Sequence, residues 1–279
     1  MSKKILVTGA DGLVGSRFIE LFPNSIELFT PSFREFDITS PNTTLDFGNV
    51  STVLHIAAHT DVSQAEIDGT DCWRVNYLGT QNLVNLFPKA HFIYISTNLV
   101  FSGLSSDPGP YTEKHPPEVD KSKVSFHGWS KSQAEKILPK SAAIVRICNP
   151  VRAAFPRKLD YLRKPLNLFI HGQLYPLFND QQISITFIDT LCIALQKIIH
   201  ERLTGTFHVS SLDTTTPHEI VEYLLKVHVP HTSINSVENK VRYPKYSALD
   251  SKWTTEQLKL PPQTSKQIVD ELIKQGISV

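Results

Sequence analysis

The first residues with an evident chemical use are glycines. Gly9, Gly12 and Gly15 recur at intervals of three in Thr8-Gly9-Ala10-Asp11-Gly12-Leu13-Val14-Gly15, between the apolar run Ile5-Leu6-Val7 and a segment with helical spacing. Glycines so placed let a strand turn sharply into a helix, let a pyrophosphate approach the helix amino terminus, and let helix pack closely on strand. The motif in this context predicts a dinucleotide site. An NAD-selective site commonly adds a carboxylate about 20 positions beyond the first glycine, accepting from the ribose 2′-hydroxyl. The stretch Phe29-Thr30-Pro31-Ser32-Phe33-Arg34 holds none. Ser32 and Arg34 could instead meet a 2′-phosphate, so NADP(H) is the favoured cofactor and NAD(H) the alternative; a solvated surface charge is the other reading of Arg34.

Other reactive side chains give less. His55 and His59 stand four apart, the spacing of a helical metal pair, but His55 falls in a strand and His59 in the loop after it. Cys72, Cys148 and Cys192 are odd in number, far apart and without paired metal-ligand spacing, so they read as reduced and structural in a cytoplasmic protein. No metal is expected.

A parallel sheet with crossover helices must position these groups. Strand-like runs at Ile5-Leu6-Val7, Ile26 to Phe29, Val53 to Ile56, Phe92 to Ile95 and Ala143 to Ile147 alternate with helical patterns over Gly12 to Leu21, Cys72 to Phe87 and Ser130 to Leu138. Repeated strand-helix units imply a doubly wound α/β fold that binds ligands at the carboxyl ends of its strands. From about Val151 the pattern loosens, with Pro156, Pro165 and Pro176 interrupting and Arg152, Arg157 and Lys158 among loops and short helices. Ile188 to Ile199 is again helical, Gly205 to Val209 strand-like, and Thr216-Pro217-His218-Glu219 is a capping box that opens a helix through Val227. No repeat or linker separates two independently folding domains.

Composition excludes several classes. In 279 residues, 41% hydrophobic and 20% charged, there is enough apolar material for a buried core and too much for wholesale disorder. Lys and Arg number 28 against 27 acidic residues, which leaves no field suited to nucleic acid or a membrane surface. The basic amino terminus precedes only three apolar residues, too few for a signal core, and no window approaches the ~20 apolar residues of a membrane span.

Gly9 to Gly15, Phe36-Asp37-Ile38-Thr39, His55-Ile56-Ala57-Ala58-His59-Thr60-Asp61-Val62 and Ser96 to Gly103 resemble the extended short-chain dehydrogenase/reductase family. Tyr111-Thr112-Glu113, Phe178-Asn179-Asp180-Gln181, and the tail Arg242 to Asp250 with Leu260-Pro261 resemble its dTDP-4-dehydrorhamnose reductase branch. The resemblance implies a Rossmann domain over 1–150, completed by about 183–211, with a smaller, interleaved substrate lobe over most of 151–279. It implies a cofactor set of Gly9, Asp11, Gly12, Leu13, Val14, Gly15, Ser32, Arg34, Asp37, Ile38, Ala57, Ala58, His59 and Lys131; Asp11 reads also as a plain turn residue. Thr97, Asn98, Val100, Phe101 and Arg152 would contact a nucleotide-sugar substrate.

The family reduces a keto sugar by hydride transfer. A tyrosine protonates the developing alkoxide, a lysine four residues later holds the nicotinamide ribose, and a Ser/Thr hydroxyl bonds the carbonyl. Thr97 matches the hydroxyl position and Lys131 the lysine, but the tyrosine position is His127, in Ser125-Phe126-His127-Gly128-Trp129-Ser130-Lys131. Imidazole has an ordinary pKa of about 6.5, yet Lys131 beside it disfavours the charged form and the ring is shorter than a phenol. Histidine acid, water-relayed acid and a silent site are all chemically open. Tyr111 could replace the phenol in principle, but its Pro-rich loop and non-catalytic family position point to packing or a substrate rim; Trp253 is expected to anchor the tail. The resulting expectation is an NAD(P)H-dependent reductase of a 4-keto-6-deoxy sugar nucleotide. The alternative is a silent NADP-binding regulatory subunit like the methionine adenosyltransferase beta subunit, with a homodimer or a regulatory protein as partner.

Titration calorimetry checks the cofactor reading: NADP(H) should bind more tightly than NAD(H), with Arg34→Ala losing about 1.5–3 kcal/mol toward NADP(H) alone. A preference for NAD(H), or an unchanged mutant, would overturn it.

Overall fold

Six strands form one sheet: β1 (Lys4–Thr8), β2 (Leu28–Phe29), β3 (Val50–His55), β4 (His91–Thr97), β5 (Ala143–Ile147) and β6 (Gly205–Val209), in the order β2-β1-β3-β4-β5-β6. The computed structural model describes residues 4–22, 27–40, 44–240 and 244–278. Met1 to Lys3, Ile26 of the expected second strand, and Arg242 and Tyr243 of the tail motif lie outside them. β1 pairs in parallel with β2 on one side and β3 on the other, and β3 in parallel with β4. The chain therefore reverses its direction of travel across the sheet beside β1 and β3, and such a switch point opens a crevice at the strands' carboxyl ends.

The helices are α1 (Leu13–Leu21), α2 (Val62–Ile67), α3 (Thr70–Trp73), α4 (Gly79–Leu86), α5 (Phe126–Ile137), α6 (Arg163–Ile170), α7 (Ile188–Glu201), α8 (Pro217–His228), α9 (Lys252–Gln257) and α10 (Ser265–Lys274). The helix expected over Cys72 to Phe87 is interrupted by a π turn at Arg74–Leu78, which holds Asn76 in the interior at 1% exposure. α5 begins four residues before its expected start because Ser125 caps it, its hydroxyl accepting from the Gly128 amide at 3.0 Å. The capping box at Thr216 forms as expected, with the Thr216 hydroxyl accepting from the Glu219 amide and the Glu219 carboxylate from the Thr216 amide.

The chain divides into two compact units. The first comprises residues 1–101, 116–146 and 192–207, and its core gathers Leu6, Val53, Leu83, Phe92 and Tyr94 with Phe36, Ile38 and Phe47. The second comprises 102–115, 147–191 and 208–279, with a core from α6, α8 and α10 that includes Leu166, Leu224, Leu225, Val269 and Leu272. In the second unit Asp160 and Arg163 form a buried ion pair at 2.8 Å, and Asp160 also accepts from the amides of Arg152, Leu162 and Arg163. That carboxylate organises the loop bearing Arg152. Trp253, expected to anchor the tail, is half exposed on α9, and Leu258 and Leu260 after it are buried.

Candidate functional site

The glycine turn leaves β1 with Gly9 at φ +68°, a left-handed conformation that a side chain rarely adopts. A Cβ there would also stand 2.7 Å from the Ala57 amide nitrogen, so the loop after β3 can close on the turn only over glycine. Gly15 serves packing: its Cβ would lie 2.2 Å from the Gly9 carbonyl oxygen. Gly12 differs from both. It caps α1 without a side-chain hydrogen bond, and a Cβ would meet only the Gly9 oxygen, at 3.2 Å. A cradle kept clear of side chains at a helix amino terminus suits a pyrophosphate, so these residues fit a dinucleotide. Asp11 lies exposed in the turn, and Leu13 and Val14 begin α1.

Beyond β2, the Ser32 amide and hydroxyl both donate to the Glu35 carboxylate at 2.8 Å, and these bonds hold that carboxyl below its ordinary range. Arg34 is exposed beside it. This acid stands one residue beyond the stretch Phe29 to Arg34, and Ser32-x-x-Glu35 has capping-box spacing. Asp37 accepts from the Thr39 amide and hydroxyl, and Ile38 is buried, its carbonyl accepting from Asn82.

After β3 the chain passes Ala57, Ala58 and His59. His55 is buried and stays neutral, pushed well below the ordinary imidazole pKa by burial and then by Lys131. Its ring bridges the hydroxyls of Thr8 at 2.7 Å and Thr80 at 3.0 Å, tying β3 to β1 and α4. It is a structural residue, and among the described residues no group of three His, Cys, Asp or Glu side chains could hold a metal.

α5 brings the remaining groups together. A Cβ on Gly128 would lie 1.9 Å from the Leu99 carbonyl oxygen, so the helix rests backbone to backbone on the short turn Asn98–Val100 at the end of β4. Thr97 ends that strand, its hydroxyl donating to Asn98 Oδ1 and accepting from the Leu99 amide, both at 3.2 Å. Val100 and Phe101 are buried, Phe101 under the Arg146 guanidinium. His127 is 6% exposed, and its Nδ1 lies 2.9 Å from the His59 carbonyl oxygen. Lys131, one turn on, is 3% exposed, with Nζ 3.9 Å from the Tyr94 ring centroid. Burial lowers its pKa to about 7, opposed chiefly by Glu135. Glu135 in turn takes two bonds from Arg146, at 3.0 and 2.7 Å, and one from the Ser96 hydroxyl at 2.5 Å. Glu135, Arg146 and Asn76 were missed from sequence; only Glu135, four residues beyond Lys131 on the same helix face, had a periodic signal.

Arg152 belongs to the second unit, where it is buried with its guanidinium over Phe155. Tyr111 is fully buried there and structural, its hydroxyl donating to the Asp107 carbonyl and accepting from the Gly103 amide.

Two variants test the glycine assignment by titration with NADP(H) and circular dichroism. Gly12→Val should fold and lose dinucleotide binding, whereas Gly15→Val should lose the fold itself; a folded Gly12→Val of undiminished affinity would make the turn purely structural. Lys131 supplies a pH test. With a folded pKa near 7 against 10.5 for the free side chain, the unfolded chain binds the extra proton between those values, so the burial penalty is full below pH 7 and fades as pH rises. Lys131→Met should therefore raise the melting temperature of the cofactor-free protein most below pH 7 and little near pH 10. A pH-independent difference would contradict the assignment.

The family model described as the RmlD substrate binding domain matches residues 3–277. A dTDP-4-dehydrorhamnose reductase of Aggregatibacter actinomycetemcomitans is 30% identical over 145 residues, 48% of this chain and 46% of that protein, so this match spans about half of the relative's length. A probable low-salt glycan biosynthesis reductase of Haloferax volcanii is 27% identical over 79% of each chain. The crystal structure of the Bacillus anthracis dTDP-4-dehydrorhamnose reductase in complex with NADP shares the fold, with a TM-score of 0.85 at 22% identity over 99% of this chain and all of that one.

Proposed function

The chain belongs to the RmlD substrate binding domain family, and on that premise we propose that it is an NADP(H)-dependent reductase of a 4-keto-6-deoxy sugar nucleotide. The observation that carries the proposal is the coexistence, in one compact unit, of a glycine turn kept clear of side chains with a buried Lys131 and His127 on one face of α5. The bound reduced cofactor would supply a hydride to the carbonyl carbon. Gly9, Gly12 and Gly15 would hold its pyrophosphate, with Asp11, Leu13 and Val14 around them. Ser32 and Arg34 would face the adenosine ribose, and Asp37, Ile38, Ala57, Ala58 and His59 would line the cofactor's course. Its complex with NADP makes the Bacillus anthracis protein a precedent for that cofactor.

Lys131 would bond the nicotinamide ribose, and its positive charge would stabilise the alkoxide as it forms. Thr97 would donate to the carbonyl oxygen after turning from Asn98, and His127 would deliver the proton. Asn98, Val100, Phe101 and Arg152 would shape the substrate side. A regulatory, silent role depends on the same residues and gains no observation of its own. Among the described residues no helix is long and apolar enough to cross a membrane, and the three cysteines are buried and unbridged, which fits a cytoplasmic setting. A homodimer is the partner arrangement we expect of it.

NADPH oxidation with a panel of 4-keto sugar nucleotides is the test. Wild type should turn over, and His127→Ala should fall by about 10²–10⁴-fold, the usual worth of general acid catalysis. His127→Tyr should retain or raise the rate. If all three bind cofactor and none oxidises NADPH with any keto sugar offered, the reductase reading fails.

A further inference from the structure

One side chain outside that assignment holds the backbone on which His127 rests. Asn76, in the π turn between α3 and α4, is 1% exposed. Its Oδ1 accepts from the His59 amide at 2.8 Å, and its Nδ2 donates to the His59 carbonyl at 3.2 Å, to Ser130 Oγ at 2.9 Å and to Cys72 Sγ at 3.3 Å. Ser130 Oγ donates in turn to the His127 carbonyl at 2.7 Å. Both amide edges of Asn76 thus hold the loop after β3, and through Ser130 the first turn of α5. The carbonyl that Asn76 fixes is the one that His127 Nδ1 meets at 2.9 Å.

A carbonyl oxygen only accepts, so His127 Nδ1 must carry a proton in this contact. A neutral imidazole has one N–H, and its Nε2 is then a lone pair. We propose that Asn76 is a positioning residue that, through the His59 carbonyl, locks neutral His127 in the Nδ1–H tautomer, making the site a proton donor only when His127 is doubly protonated.

The inference deepens the reductase reading and rests on it for its kinetic consequence. In the reducing direction the Nε2–H bond of the imidazolium breaks, an O–H bond forms on the substrate oxygen, and the carbonyl carbon takes the cofactor's hydride. Histidine is left neutral with its proton on Nδ1, and solvent restores the second. In the oxidising direction neutral His127 takes the hydroxyl proton at Nε2 without changing tautomer. A histidine free to place its one proton on Nε2 could hydrogen-bond the developing alkoxide while neutral; the locked one presents only a lone pair there and cannot. Reduction should therefore fall tenfold per pH unit above the His127 pKa, while oxidation rises to a plateau. The titratable and charged groups of the elements packed around this point are Lys131, Glu135 and Lys136 on α5, Glu66 on α2, Asp71 and Cys72 on α3, Arg74 and Tyr77 in the π turn, and His59 in the loop. Glu66 receives the Phe126 amide, Arg74 pairs with Asp71, and Lys131 is the buried cation of α5.

Nitrogen-15 NMR of histidine-labelled full-length protein with NADP⁺ bound, well above the imidazole pKa, reads the tautomer directly; loss of the signal in His127→Gln assigns it. Wild type should show His127 protonated at Nδ1 alone, and Asn76→Ala should show a mixture with Nε2–H. His59→Ala, which keeps the backbone carbonyl, should match wild type. If Asn76→Ala does not fold, Ser130→Ala carries the test and should show a weaker shift in the same direction. His127 protonated at Nε2 in wild type, or an unchanged tautomer in the folded variant, would overturn the lock. A single Nδ1–H tautomer without turnover of any keto sugar would remove the reductase reading and leave the lock standing.

Discussion

The burial of one amino group organises the candidate site of this protein. Lys131 sits out of water against the face of Tyr94, an arrangement whose cation–π attraction of about 0.5–2 kcal/mol is too small to offset the desolvation of a full charge. The balance comes from Glu135, one helical turn away, which is itself neutralised by the planar fork of Arg146 on β5 and bonded by Ser96 on β4. Two strands and one helix thus share a single charge network, in which removing Arg146 would leave the Glu135 carboxylate buried without its ion pair. That network fixes α5 on the sheet. Its residual strain is the depressed pKa of Lys131, which a bound polar cofactor would relieve by giving the ammonium a partner.

Backbone contacts supply the precision that charges do not. Gly15 on Gly9, Gly9 on Ala57 and Gly128 on Leu99 are three places where a single methyl group would force main chains apart. The first two set the cradle at the end of β1; the third sets the height of His127 and Lys131 against Thr97. Because all three depend on the absence of a side chain, the site's geometry is as firmly determined by these glycines as by its reactive groups.

This explains what could be read in the sequence. The glycine turn, the six strands of the sheet and the main crossover helices announce themselves through periodicity and residue type, since each reflects a local constraint. Lys131 and His127 were legible through the family resemblance, since they stand at its lysine and tyrosine positions one helical turn apart. Asn76 was not, because the π turn that directs it inward breaks the very period used to read a helix, and its partners lie 17 and 54 residues away. Arg146 was read only as part of a strand, and nothing in an isolated strand says that its charge is balanced from a helix. Glu35 was missed for a different reason: its effect is to occupy Ser32, and a competitor for a hydrogen bond is visible only when both are in place.

The central claim is that the groups on α5 complete a hydride-transfer site despite the imidazole at position 127. Isotope tracing tests it most directly. The protein would be incubated with NADPH deuterated at the transferring position of the nicotinamide and a 4-keto-6-deoxy sugar nucleotide, and the sugar product analysed by mass spectrometry. The account predicts one deuterium in each molecule of product, bonded to the former carbonyl carbon. A sugar recovered unlabelled, with the cofactor bound and its deuterium intact, would contradict it.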